Sequence, residues 1–302
     1  MAERFDRGEG KTLTTLRPRL VPYGRMSPGL LWLALFFVVP MFFMAWFSVS
    51  SGSLEAGWSL TWTFSNYTDA ISNYTTQFGR SFLYAGAATI FCLLLGYPLA
   101  YAIAFKAGRW QNLMLFAVIA PFFTTYLIRT IAWKTILEDS SPVVSFLKTI
   151  QVLPSDGRVL ATSAAVIAGL TYNFLPFMVL PLYASLERLD LRLLEASKDL
   201  YASATQTFFR VTLPLTAPGI IAGVLLTFIP AVGDYVNATF LGGVNQSMIG
   251  NVIQAQYLVI NDYPTAAALS FTLMIIILIA VTLYIRFAGT EALMGDEEEA
   301  SS

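Results

Sequence analysis

The sequence predicts an all-α integral membrane protein with six transmembrane helices. Three observations carry that prediction. Of the 302 residues, 56% are hydrophobic and only 12% charged, with a mean hydropathy of +0.63, far from the usage of a soluble domain. Six apolar stretches are each long enough to cross a hydrocarbon core, which requires ~20 residues. The basic residues fall mainly into alternate connections between those stretches, as in a chain that crosses a bilayer repeatedly.

Residues 1–27 form a polar, basic segment carrying Arg4, Arg7, Lys11, Arg17, Arg19 and Arg25. The apolar run behind it is long and lacks a small-residue cleavage pattern, so it reads as a retained span rather than a signal peptide. Gly8-Glu9-Gly10-Lys11-Thr12 resembles a phosphate loop superficially. It fails because Phe5 stands where the first glycine belongs and no strand precedes it. The spans are placed at Pro28–Ser48, Phe82–Phe105, Leu113–Leu137, Leu160–Leu186, Ala217–Phe240 and Ala266–Arg286, giving a six-helix membrane domain over residues 28–288. The second span, and the sixth as far as Ile285, carry no charge. Pro40, Pro98, Pro121, Pro176, Pro181 and Pro230 lie within or at the ends of spans, where they kink helices whose freed carbonyls neighbours can satisfy.

Orientation follows from the cations. The N-terminal segment, Lys106 and Arg109, then Arg188, Arg192, Lys198 and Arg210, and finally Arg286 share one side. Arg80, Lys148 and Arg158 share the other. The excess puts both termini and the loop at residues 187–216 in the cytoplasm of a multi-pass membrane protein. On the outer side, the loop from Ser50 to Gln77 is rich in Ser, Thr and Asn and holds Trp58 and Trp62. Asn66-Tyr67-Thr68 and Asn73-Tyr74-Thr75 fit glycosylation acceptors, a triplet common by chance. Ser-Pro, Pro154 and Asp156-Gly157 mark Glu138 to Val159 as a loop. Residues 289–302 form an acidic tail ending in Asp296, Glu297, Glu298 and Glu299.

Enzyme chemistry has little to work with. The chain has no histidine and one cysteine, Cys92, which sits in an apolar run and reads as a small buried hydrophobe.

The segment from Glu195 to Gly219 is a polar stretch lodged between two apolar runs. Asp190 is placed to cap a helix from Leu191 to Leu200, with Leu193, Ala196 and Leu200 at helical spacing. Ser203 and Gln206 form an S-x-x-Q capping box that starts a second helix near Ala204. Pro214 should stop that helix at Leu213. A polar helical pair between membrane spans needs something to dock against.

Glu195-Ala196-Ser197, Asp199-Leu200, Ala202-Ser203, Phe208, Val211, Leu213-Pro214 and Pro218-Gly219 closely resemble the EAA loop of binding-protein-dependent ABC importer permeases. The resemblance implies that Glu195, Ala196, Ser197, Asp199, Leu200, Tyr201, Ala202, Leu213 and Pro214 couple the chain to an ATPase subunit. Two positions depart from the pattern. Ser197 replaces the second alanine, and Tyr201 stands where the family usually has glycine. A bulky residue at positive φ is an outlier, so the break is expected to shift to Ala202 and Ser203.

Charges inside spans are costly and are candidates for function. Asp234 lies about 25 Å along span five at 1.5 Å per residue, near the outer mouth, where an arriving cation meets negative charge or where headgroup water hydrates the carboxylate. Glu138, Asp139 and Asp262 would add to a negative rim. Arg129 is expected to pair with a carboxylate or with helix carbonyls, and Lys134 to snorkel outward. Asn173 and Tyr172 offer an amide and a phenol to an amine, while the faces of Trp133, Tyr172 and Tyr235 can hold cations. Aromatic residues make up 14% of the chain, so most of them must serve packing.

Tyr172-Asn173-Phe174-Leu175-Pro176-Phe177, Leu180-Pro181-Leu182-Tyr183 and Gly233-Asp234-Tyr235-Val236 look like the spermidine/putrescine-type permeases. Met248-Ile249-Gly250-Asn251, Asp262-Tyr263-Pro264 and Tyr126-Leu127-Ile128-Arg129 fit the same pattern. This resemblance implies a type I ABC importer permease fold and a second, related but non-identical permease subunit. It further implies a dimer of ATPase subunits that bind ATP and Mg, no cofactor on this chain, an extracytoplasmic binding protein, and no nucleic acid. The alternatives are the same architecture carrying an iron chelate or organic phosphonate, or a secondary transporter that works without an ATPase.

Overall fold

The computed structural model describes residues 26–288, so the acidic tail and all but the end of the N-terminal segment lie outside the described residues. Helix α1, Met26–Ser48, is apolar and almost wholly uncovered by the rest of the chain. A two-stranded antiparallel hairpin follows, β1 Ser50–Ser53 and β2 Gly57–Leu60, paired Ser50 to Leu60 through Ser53 to Gly57. It is a small departure from the all-α expectation.

Helix α2 runs from Ser65 to Phe105 with a kink at Tyr74, far longer than the predicted second span. Its early part is polar overall, but Tyr67, Ala70, Tyr74 and Phe78 recur at helical spacing, and Ala70 and Phe78 are buried. A search for membrane-length apolar runs passes over such an extension. Helix α3, Gly108–Phe123, then breaks at Thr124 and Thr125, both extended, and the chain leaves at 94°. Helix α4, Tyr126–Leu137, and α5, Pro142–Thr149, complete what the sequence presented as one span and a loop. Helix α6 is Ser163–Glu187, started by Thr162, whose hydroxyl accepts from the Ala165 amide at 3.2 Å.

Helices α7, Leu191–Asp199, and α8, Ala204–Leu215, form the polar pair, and α9, Ala217–Val232, leaves it at 65°. The predicted fifth span is interrupted at 233–235 before a short α10, Val236–Leu241. Helix α11, Ile249–Ile260, and the long α12, Tyr263–Ala288, finish the chain.

Helices α2, α6 and α9 make the core. Tyr84 meets Ser163, Cys92 meets the Thr171 carbonyl and Tyr97 meets Thr216, so α2 and α6 run parallel and α9 returns against them. One end of the bundle therefore holds the hairpin, α5 and residues 233–262, and the other holds α7 and α8. Small residues permit the close approach that association of apolar helices relies on. A Cβ on Gly169 would collide with Leu241 of α10 and with the Asn237 amide. A Cβ on Gly250 would run into the Gly233 carbonyl oxygen, so α11 lies directly on the break in the fifth span.

Pro214 does not stop its helix. Residues Phe208–Thr212 form a wide i→i+5 turn, Leu213 keeps helical angles, and the helix continues to Leu215. Helix α1 does the same, with a wide turn at Ala34–Val38 just ahead of Pro40. In both, the widened turn shifts the carbonyl that the proline ring would otherwise strike.

Candidate functional site

Two spans are broken, and the breaks meet. Unpaired backbone at membrane depth is tolerated where protein buries it or where it lines a cavity, and discontinuous helices build sites for that reason. Asp234, in the break after α9, is 8% exposed. Its Oδ2 accepts from the phenol of Tyr126, the first residue of α4 after the other break, at 2.5 Å. Its Oδ1 accepts from the Asn237 backbone amide at 2.8 Å and side-chain amide at 3.2 Å, which starts α10. The carboxylate is thus buried and bonded within the protein, not hydrated at an interface.

The network extends inward with a fixed sense. Asn237 gives its Nδ2 to Asp234 and to the Tyr126 oxygen at 2.6 Å, so its Oδ1 must accept. Asn173 of α6 donates to that oxygen at 3.1 Å and to Thr130 at 3.4 Å. Its own Oδ1 is left buried without a hydrogen-bond partner. Arg129 is 8% exposed and, among the described residues, has neither the carboxylate nor the helix-carbonyl partner expected of it. Its guanidinium lies over Tyr126 at 5.6 Å and over Phe122 at 5.7 Å, with Nε and Nη1 unpartnered.

Of the residues singled out from the sequence, Asp234, Asn173 and Arg129 therefore gather around Tyr126 and Asn237. Tyr172 turns away from them and packs edge-on against Trp133 at 5.4 Å, and the two help line an apolar cavity of about 580 Å3. Tyr235 is 45% exposed, and its carbonyl accepts from Asn251. Asp139 lies at the hairpin end in a 3.1 Å ion pair with Arg158, which neutralises part of the expected acidic rim. Asp262 accepts from the Thr265 amide and caps α12. Tyr126 and Asn237 were missed as site residues. The three-residue spacing from Asp234 to Asn237 is a capping signal that was there to be read.

The polar pair at the other end is built as its capping residues dictate. Asp190 accepts from the Arg192 amide at 2.9 Å, and Ser203 and Gln206 close their capping box. Helix α7 ends in a Schellman turn, with Ala202 N–H on the Ser197 carbonyl and Tyr201 N–H on that of Lys198. Tyr201 itself takes φ +59°, so the break stays on it instead of moving to Ala202 and Ser203. Ser197, the departure from alanine, meets the Thr207 hydroxyl at 2.9 Å and ties α7 to α8. Glu195, Ala196, Asp199, Leu200 and Pro214 are exposed, while Ala202 and Leu213 are half-buried.

A family model described as binding-protein-dependent transport system inner membrane component matches residues 20–288. The chain belongs to that family. It is a permease component of transport, not an enzyme. The spermidine/putrescine transport system permease protein PotB of Escherichia coli is 41% identical over 256 residues, covering 84% of this chain and 93% of that one. PotB of Haemophilus influenzae is 39% identical over 256 residues, 84% of this chain and 90% of its own. Among solved structures, a bacterial alginate ABC transporter in complex with alginate pentasaccharide-bound periplasmic protein superimposes with a TM-score of 0.73. The match covers 94% of this permease and 97% of that chain at 17% identity, which establishes the type I ABC importer permease fold.

Proposed function

We propose that this permease is one half of an ATP-driven polyamine importer, handling spermidine or putrescine delivered by an external binding protein. The homology to PotB is the observation that carries the reading. Six crossings with both termini in the cytoplasm put α7 and α8 on the cytoplasmic side, facing an ATPase dimer that holds ATP and Mg. The second permease half is a related, non-identical chain. Leu193, Ala196 and Leu200 support a docking role, because this apolar stripe on a polar helix is left uncovered by the chain itself. Nucleotide-driven movement of the ATPase pair is transmitted through Glu195 to Pro214 to the two broken spans, and the cavity alternates its opening. That coupling requires contacts that differ between the two states.

In this account Asp234 and Asn173 lie on the substrate path, with Tyr235 as an aromatic face and Asp139 at the outer approach, while Trp133 and Tyr172 offer their faces to the neighbouring apolar cavity. A second reading, the same architecture carrying an anionic chelate or phosphonate, draws on the unpartnered nitrogens of Arg129. ATPase stimulation of the reconstituted complex by its binding protein, loaded in turn with spermidine, putrescine, an iron chelate or a phosphonate, decides between them. The polyamines should stimulate; stimulation by an anionic solute alone would replace the first reading with the second.

A further inference from the structure

Two opposite charges are buried beside one phenol and do not meet. Asp234 is held by neutral donors, the Tyr126 hydroxyl and the two nitrogens of Asn237. Arg129 is held by the faces of Tyr126 and Phe122, with Nε and Nη1 unsatisfied. A buried guanidinium without a counter-charge is expensive, and arginine does not relieve that cost by losing its proton. Tyr126 and Arg129 lie one turn apart on α4, and α4 starts directly after the Thr124–Thr125 break. A swing at that break would shift both side chains together relative to Asp234.

The same junction suits an ammonium group. Asp234 supplies the charge and the Tyr126 oxygen is a second acceptor, while Asn173 Oδ1, one residue further along the network beyond Asn237, is a buried acceptor that has no donor. An ammonium that displaced the phenol from a buried carboxylate would be held hard, since charges attract strongly at low dielectric. Transport also needs the cation to leave.

We propose that Arg129 is a tethered counter-cation that clears this seat. In one state of the cycle the ammonium of the substrate sits on Asp234, and in the other the Arg129 guanidinium replaces it, with the Tyr126 phenol covering the carboxylate between the two. Arg129 is then a positioning and release residue, not part of an anion site. The inference rests on the polyamine reading and adds the step by which the cargo is let go.

The test uses the assembled complex of both permease halves and the ATPase, with radiolabelled spermidine presented on the binding protein. Two quantities are read: uptake into proteoliposomes, and label retained by the complex after gel filtration. Arg129→Gln should lower uptake several-fold while raising retained label several-fold. Arg129→Lys keeps a cation and should restore most of the uptake with retention near the wild-type level. Asp234→Asn, alone or with Arg129→Gln, should retain no label. Lys134→Gln, which removes a cation from the same helix, should match the wild type. A complex with Arg129→Gln that assembles but retains no extra label overturns the proposal. Should that variant fail to assemble, Arg129→Lys decides, and loss of its uptake without added retention is equally fatal. Wild-type complex that moves no polyamine removes the polyamine reading itself, a result separate from unaltered retention in a working transporter.

Discussion

Tyr201 shows how much a single backbone angle constrains. It is 98% exposed, makes its turn at φ +59°, and stands where a Cβ is penalised. Tyr201→Gly should therefore raise the stability of the isolated permease by about 1 kcal/mol, read as a higher midpoint in thermal unfolding. An unchanged or lowered midpoint would mean that the positive φ at Tyr201 carries no net cost in this turn. Asp234→Asn keeps the shape of the side chain and removes the charge. It should weaken polyamine uptake at every substrate concentration while leaving assembly intact, and unchanged kinetics would reduce Asp234 to the cap of α10. The capping residues Asp190, Ser203 and Gln206 were legible in the sequence because each acts on backbone within a few positions of itself. The isolation of Arg129 was not legible, since it depends on which side chains α4, α6 and α10 bring around it.

The same division governs the helices. Thr162 and the apolar run behind it set α6 within a few residues of its predicted bounds, because burial and capping agree there. The break at Thr124–Thr125 was only partly legible: Pro121, three residues earlier, marks a kink, but apolar residues continue on both sides and neither glycine nor proline stands at the break itself. The break after Val232 is held by packing from α11, through Gly250 against the Gly233 carbonyl and through the Asn251 amide on the Tyr235 carbonyl. Gly250→Ala should cost about 1–3 kcal/mol by overpacking, seen as a lower unfolding midpoint and reduced uptake. Wild-type behaviour would show that α11 is free to lift from the break. At the other end, Glu195→Lys reverses an exposed charge on α7, and Ala196→Asp places one in the uncovered stripe. Either change should abolish uptake in complexes whose two permease halves still associate. Normal uptake by both would detach this helix pair from energy coupling.

Across the chain, the two polar features lie at separate depths. The α7–α8 pair is at one end of the bundle, and the Asp234 junction is toward the other, where α9, α10 and α11 meet. Helices α6 and α9 join them, and the Tyr97–Thr216 bond at 2.8 Å fixes the base of α9 to α2. On the proposed coupling, a push on α8 would reach the break in the fifth span through the 65° bend at Thr216 and then along α9. The direct measurement is spermidine uptake by proteoliposomes containing the complete complex, with loaded binding protein on the receptor side and ATP on the other. The account predicts uptake that requires hydrolysable nucleotide and stops when the ATPase subunits are omitted. Uptake that continues without nucleotide, or in the absence of those subunits, would contradict it.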